Sequence, residues 1–193
     1  MTDYLYLHGF NSGPQSLKAR ETADWLARHE PASRFHCPSL SVHPALALPQ
    51  AARVVASLPD DTLLIGSSLG GFYAAWLAQT MSRRAVLINP AIEPHLDLAH
   101  LPRDQIHPGT GEHYYLDDAD QAALRNHQIT HPDRDRFWLV LGTADEVLDW
   151  RHAARRFQGC RQTLFNGDDH RLQRWPACLP QLAQFAHHGE SEQ

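Results

Sequence analysis

No apolar run in this chain approaches the length needed to span a bilayer. Its N-terminus enters a strand-like segment bearing Asp3, with no basic stretch followed by an apolar one. A membrane-spanning helix and a secretory leader are therefore not expected, and a cytoplasmic location is. Cysteine is scarce: Cys37, Cys160 and Cys178 are odd in number, far apart and without C-x-x-C spacing. That argues against a disulfide framework and for buried free thiols in a reducing compartment. Of the 17 lysine and arginine residues only Lys18 is lysine, an imbalance read as genome composition. The basic residues form no cluster, and with a formal charge of −5 the chain lacks the surface that nucleic-acid binding requires. His95, His100, His107 and His113 have neither H-E-x-x-H nor regular ligand spacing, so a metal site is not expected, and the chemistry read below needs no cofactor. Internal repeats and low-complexity segments are missing too. What remains is 193 residues, 42 % apolar, enough for one sizeable core. A single domain is expected over 1–189, with a frayed tail at 190–193.

Apolar runs of strand length alternate with helical patterns. Tyr4–Leu7, Arg34–Cys37, Thr62–Ile65, Ala85–Ile88, Phe137–Leu141 and Gln162–Phe165 read as strands. Their near-continuous hydrophobicity suits strands covered on both faces. Helices are expected over Gln15–His29, Pro49–Leu58, Leu69–Met81, Trp150–Phe157 and Leu172–His187. Pro14 and Pro49 stand where a first helical residue belongs, and Pro176 and Pro180 break the last helix or delay its start. Trp25, Trp76 and Trp150 fall on helical faces or ends, as core or interface residues do. The alternation predicts an α/β fold: parallel strands with helices on both faces. One interval, 93–136, is too long for an ordinary connection and is rich in His, Pro and Asp. It reads as a small lid or insertion over the carboxyl edge of the sheet, with a helical patch at Ala119–Asn126.

The run Leu63-Leu64-Ile65-Gly66-Ser67-Ser68-Leu69-Gly70-Gly71 joins a strand to a helix through Gly-x-Ser-x-Gly. In that setting the motif is a nucleophile elbow, a sharp turn that lifts the Ser68 hydroxyl clear of the strand tip. Gly66 and Gly70 are expected where strand and helix backbones come too close for a Cβ. A serine hydroxyl needs a base to take its proton, and the base needs an acid to fix its tautomer. Asp145 follows the strand 137–141 and His170 follows the strand ending at Phe165, so all three side chains are expected at one sheet edge. Glu146, Asp149 and Asp168 stand as alternative acids, and Ser68 as a helix N-cap. The backbone N–H groups of Leu69, after the nucleophile, and of Phe10, in the loop His8-Gly9-Phe10-Asn11-Ser12-Gly13-Pro14, are the candidate oxyanion donors. A plain glycine-rich turn is the alternative reading of that loop.

Five pieces carry a resemblance: Tyr6-Leu7-His8-Gly9-Phe10-Asn11-Ser12, Gly66 through Ala74, Asn89-Pro90-Ala91, Thr110 through Leu116, and Asp145-Glu146-Val147-Leu148-Asp149. Together they resemble the YqiA-type small bacterial esterases of the α/β-hydrolase superfamily, over nearly the whole chain. The resemblance implies a compact α/β-hydrolase fold and a carboxylic-ester hydrolase with Ser68, Asp145 and His170 as its triad. Because the His-Gly segment follows the third strand in full-length α/β hydrolases, two leading strands are expected to be missing, leaving about six mostly parallel strands. The chain departs from the family at Asp168 and Asp169, where small residues or Asn usually precede the histidine. Two extra carboxylates there are expected to raise the basicity of His170 or to repel anionic substrates. The expected function is hydrolysis of short, neutral carboxylic esters through an acyl-enzyme. A thioesterase or acyltransferase with the same triad, and a non-catalytic hydrolase-like binding module, remain as alternatives; oligomeric state is left open.

Overall fold

The computed structural model describes residues 2–187; the tail expected at 190–193 lies outside the described residues. In chain order the elements are β1 (Asp3–Leu7), α1 (Leu17–His29), β2 (Arg34–His36), α2 (Pro44–Ser57), β3 (Leu63–Ser67), α3 (Leu69–Thr80) and β4 (Arg84–Ile88). Then follow α4 (Pro94–Ala99), β5 (Asp104–Ile106), β6 (His113–Tyr115), α5 (Asp118–Asn126), β7 (Phe137–Gly142), α6 (Trp150–Arg156), β8 (Arg161–Phe165) and α7 (Leu179–His187).

Six strands form one sheet in the order β2-β1-β3-β4-β7-β8, and every pair in it is parallel. The inner strands β1, β3 and β7 are buried along their whole length. Successive side chains point to opposite faces, and both faces are dry. Leu5, Leu7, Leu64, Leu87, Leu139 and Leu141 meet α2, α3, α5 and α6 on one side. Tyr4, Tyr6, Leu63, Ile65, Val86, Ile88, Trp138 and Val140 meet α1 and α7 on the other. This is why the strands read as unbroken apolar runs with no polar alternation.

Proline is where expectation and structure part. Pro14 lies in a turn before α1, closed by the Ser16 N–H on the Gly13 carbonyl at 3.0 Å, and the helix begins only at Leu17. Pro49 is interior to α2, whose first residue is Pro44. The ring at 44, not the one at 49, takes the first helical position, where a proline forfeits no hydrogen bond. The last helix starts late: Leu172 has φ of +49°, a 3₁₀ turn follows at Trp175–Cys178, and α7 begins at Leu179.

The 93–136 interval holds α4, α5 and an antiparallel hairpin, β5–β6, which sequence reading missed. Three-residue strands carry too short a period to recognise. Asp117 and Asp120 close α5 with a reciprocal capping box, which places its start at Asp118. The cysteines are free, but only Cys178 is fully buried; Cys37 and Cys160 are half-buried, a correction to the expectation for all three. Burial pushes the Cys37 thiol up to about 11 and the Cys178 thiol to about 12, so neither is a ready thiolate at neutral pH.

Candidate active site

Parallel strands send all their carboxyl ends to one edge, and the candidate residues follow from that edge. Ser68 stands between β3 and α3 with φ of +55° and ψ of −122°, a conformation costing about 1–3 kcal/mol for a residue with a Cβ. Its backbone is held on both sides: the N–H donates to the Ile88 carbonyl at 3.0 Å, and the carbonyl accepts from Gly71 at 2.9 Å and Ala91 at 3.1 Å. A Cβ on Gly66 would run into the Gly70 carbonyl and the Ala74 side chain, as strand and helix press together. Gly70 is required for a different reason: a Cβ there would meet the carbonyls of Leu7 and His8 from β1 and its loop.

Asp145 follows β7 and His170 follows β8. The His170 ring nitrogen Nδ1 lies 2.8 Å from Asp145 Oδ2 and 3.0 Å from Oδ1. The carboxylate side chain is 1 % exposed and also accepts the N–H groups of Val147 and Leu148, each at 2.8 Å. Against an ionised carboxylate, Nδ1 carries the proton and Nε2 keeps its lone pair. The alternative acids are occupied elsewhere. Glu146 accepts the His170 backbone N–H at 3.0 Å, and Asp149 caps α6 through the Arg151 N–H at 3.0 Å. Asp168, itself buried, accepts the N–H groups of Gln173 and Arg174, each at 3.1 Å, and faces Arg174 Nε at 3.5 Å.

Ser68 and His170 line the same cavity, of about 330 Å³, together with Phe10, Leu17, Lys18 and Arg171. Ser68 Oγ makes no hydrogen bond among the described residues, so the structure brings Asp145 onto His170 but does not join His170 to Ser68. Such contacts commonly tighten only when substrate is bound. The loop after β1 approaches the serine from the other side: a Cβ on Gly9 would sit 3.2 Å from Ser68 Cβ and 3.8 Å from Oγ. Phe10 lines the cavity and Leu69 follows Ser68 directly, and the N–H of neither donates to a protein acceptor among the described residues.

Several contributors escaped the sequence reading. His8 is 5 % exposed; its Nε2 accepts the Leu40 N–H at 3.1 Å, so Nδ1 carries the proton and donates to the Gly9 carbonyl at 3.1 Å. Burial holds its pKa below the ordinary histidine value, which keeps this neutral brace intact. Asn89, just past β4 with φ of +39°, donates Nδ2 to the carbonyls of Asp169 and His170, both at 3.1 Å. Its Oδ1 accepts the Gly142 N–H at 2.8 Å, so one amide ties three strand ends together. An Asn-Pro directly after a strand was the available signal. The β5–β6 hairpin lies on the loop after β1: the Tyr114 hydroxyl donates to Asn11 Oδ1 at 2.6 Å, and the Tyr114 and Phe10 rings meet edge-on at 6.4 Å. No group of three metal-ligating side chains occurs among the described residues.

The sequence model of the uncharacterised protein family UPF0227, the YqiA-type family, matches residues 3–187. This chain belongs to UPF0227. Its membership spans the sheet, both helical layers and the insertion. Among solved structures, the UPF0227 chain is similar to Est1E from Butyrivibrio proteoclasticus, with ferulic acid bound, at 16 % identity and a TM-score of 0.70, covering 100 % of this chain and 89 % of the other. It is similar to an esterase domain from a Rhodothermus marinus protein at 21 % identity and a TM-score of 0.68, covering 96 % and 86 %. It also matches mouse alpha/beta hydrolase domain-containing protein 10 at 15 % identity and a TM-score of 0.68, covering 97 % and 90 %. These likenesses, with the six-stranded parallel sheet, give this UPF0227 member the α/β-hydrolase fold.

Proposed function

We propose that this protein is a serine hydrolase that cleaves small carboxylic esters through an acyl-enzyme. The observation that carries the reading is the buried Asp145 carboxylate on His170 Nδ1 at 2.8 Å, opening on a cavity that also holds Ser68 in a strained elbow. In this reading Ser68 Oγ attacks the acyl carbonyl and passes its proton to His170 Nε2. The imidazolium is stabilised by Asp145 and returns the proton to the departing alkoxide. Water then attacks the acyl-serine with His170 as base, and Ser68 regains its hydroxyl. General base action of this kind contributes about 10²–10⁴-fold.

The N–H groups of Phe10 and Leu69 are the proposed oxyanion donors; losing a single such donor costs about 2.7–4 kcal/mol elsewhere. His8 and the Tyr114–Asn11 contact brace the loop that carries Phe10. The 93–136 insertion acts in this reading as a lid whose hairpin rests on that loop.

A fluorophosphonate label tests the reading directly. Wild type is expected to be labelled and Ser68→Ala is not, with His170→Ala and Asp145→Asn lowering kcat on p-nitrophenyl esters by about 10³-fold or more. An unlabelled wild type that also leaves esters and thioesters intact overturns the proposal. Faster turnover of thioesters than of oxygen esters reassigns the substrate but keeps the triad.

A further inference from the structure

The one lysine of the chain stands in the proposed active-site cavity. Lys18, the second residue of α1, lines the same space as Ser68 and His170, with Arg171 beside it. Its Nζ donates to the Arg171 carbonyl at 2.8 Å, which uses one of three ammonium donors. No carboxylate lies within ion-pair distance of Nζ among the described residues. Of the acids whose charge reaches it, Glu21, three residues on in α1, acts most strongly; Asp145 is committed to His170, and Asp169 accepts the Gln173 side-chain amide at 2.9 Å through Oδ2 while its Oδ1 has no hydrogen-bond partner among the described residues. Asp168 is folded back onto its own loop and Arg174. Neither Asp168 nor Asp169 lines the cavity, although the Asp169 charge still reaches Lys18, and two cationic residues line it in a protein of net charge −5.

Leu17 and Phe10 supply apolar wall to the same cavity. A half-buried ammonium with no carboxylate in ion-pair contact, lining the same cavity as the proposed nucleophile, is a poor structural device, because desolvating a charge that only distant acids compensate costs free energy. Burial accordingly pulls the Lys18 pKa below the ordinary lysine value, with partial compensation from Glu21, Asp169 and Asp145. An anionic ligand group would supply the missing partner and reverse that shift.

We infer that Lys18, assisted by Arg171, is a specificity-determining residue that selects esters carrying a second, anionic oxygen group, a carboxylate or a phosphate, beyond the scissile bond. The inference rests on the serine-hydrolase reading for turnover, but not for binding.

The test compares p-nitrophenyl pentanoate with mono-p-nitrophenyl glutarate and with the p-nitrophenyl ester of 4-phosphonobutyrate, measured as ratios of kcat/KM. Wild type is expected to favour at least one anionic ester, by about 10-fold at low salt, with the ratio shrinking as ionic strength rises. Whichever of the two is favoured tells carboxylate from phosphate. Lys18→Met is expected to lower that ratio about 10-fold or more, Lys18→Arg to retain most of it, and Arg171→Ala to lower it less. A ratio favouring the neutral ester, or one that Lys18→Met leaves unchanged, overturns the inference. If no ester is turned over, the hydrolase reading fails by itself, and calorimetric titration of monomethyl glutarate and of 4-phosphonobutyrate into Ser68→Ala decides. Binding of either that Lys18→Met removes supports the anion site; no binding of either, or binding that Lys18→Met does not weaken, ends it.

Discussion

Asn89 ties the ends of three strands at the candidate site together through one side-chain amide. It binds two carbonyls of the His170 loop and the Gly142 N–H at the end of β7. Asn89→Ala leaves a buried N–H without a partner and frees the loop. We expect a loss of about 2–4 kcal/mol in urea unfolding, on the scale of about 1–3 kcal/mol for one orphaned buried group plus the lost loop bonds. If Asn89 positions His170, the variant also lowers kcat more than it raises KM. A purely structural role would move stability alone.

Lys18 and His8 show the limit of reading residues singly. A lone lysine among arginines carries no periodic signal, and His8 sits in a motif whose glycine draws the attention. Each acquires its role from a partner far along the chain: Arg171 for Lys18, Leu40 for His8.

Among elements, β3 and α3 are the pair that sequence described best. The apolar run, the two glycines and the helical continuation are all local, and the observed boundaries differ from the expected ones by only a few residues. The strength of the constraint is open to test. Gly66→Ala must displace the Gly70 carbonyl or Ala74. We expect it to destabilise the protein by about 3 kcal/mol or more, the upper range for overpacking, read as a lowered urea midpoint. The β5–β6 hairpin is the opposite case, invisible in sequence and held by side chains. Tyr114→Phe removes the hydroxyl bonded to Asn11 at 2.6 Å. A loss of about 1 kcal/mol is expected, with faster amide exchange over 104–116 than in wild type. Unchanged exchange there would show that the edge-on ring contact with Phe10, not the hydroxyl, holds the hairpin down.

Across the whole molecule, stability should fall in two acid stages. His8 has a folded pKa below the ordinary value of 6.5, so below pH 6.5 the unfolded chain takes up a proton that the native brace refuses. Its contribution is complete above that pH and is lost as pH falls toward the folded value. Asp3 follows at lower pH. Burial would raise its pKa, but the paired hydrogen bonds from Arg34, both 3.0 Å, and the contact with His36 at 2.7 Å prevail and lower it below 3.8. That contribution is present above 3.8 and lost as pH falls through the folded pKa, loosening edge strand β2 from β1. Urea midpoints measured from pH 8 to 3 should show both stages. His8→Gln should flatten the slope just below pH 6.5 and leave the second stage in place.

The succession of the six sheet strands, the elbow at Ser68 and the placing of Asp145 and His170 after successive strands were all determined by sequence alone. Each rests on short-range signals: apolar periodicity, glycine where backbones crowd, and chain order along a parallel sheet. The tertiary structure decided which acid meets His170, which proline starts α2, where the hairpin lies and that Lys18 and Arg171 share a cavity with the serine. Those outcomes depend on contacts between residues tens to more than a hundred positions apart. Such contacts form only when the sheet brings distant loops to one edge, and no local pattern encodes them.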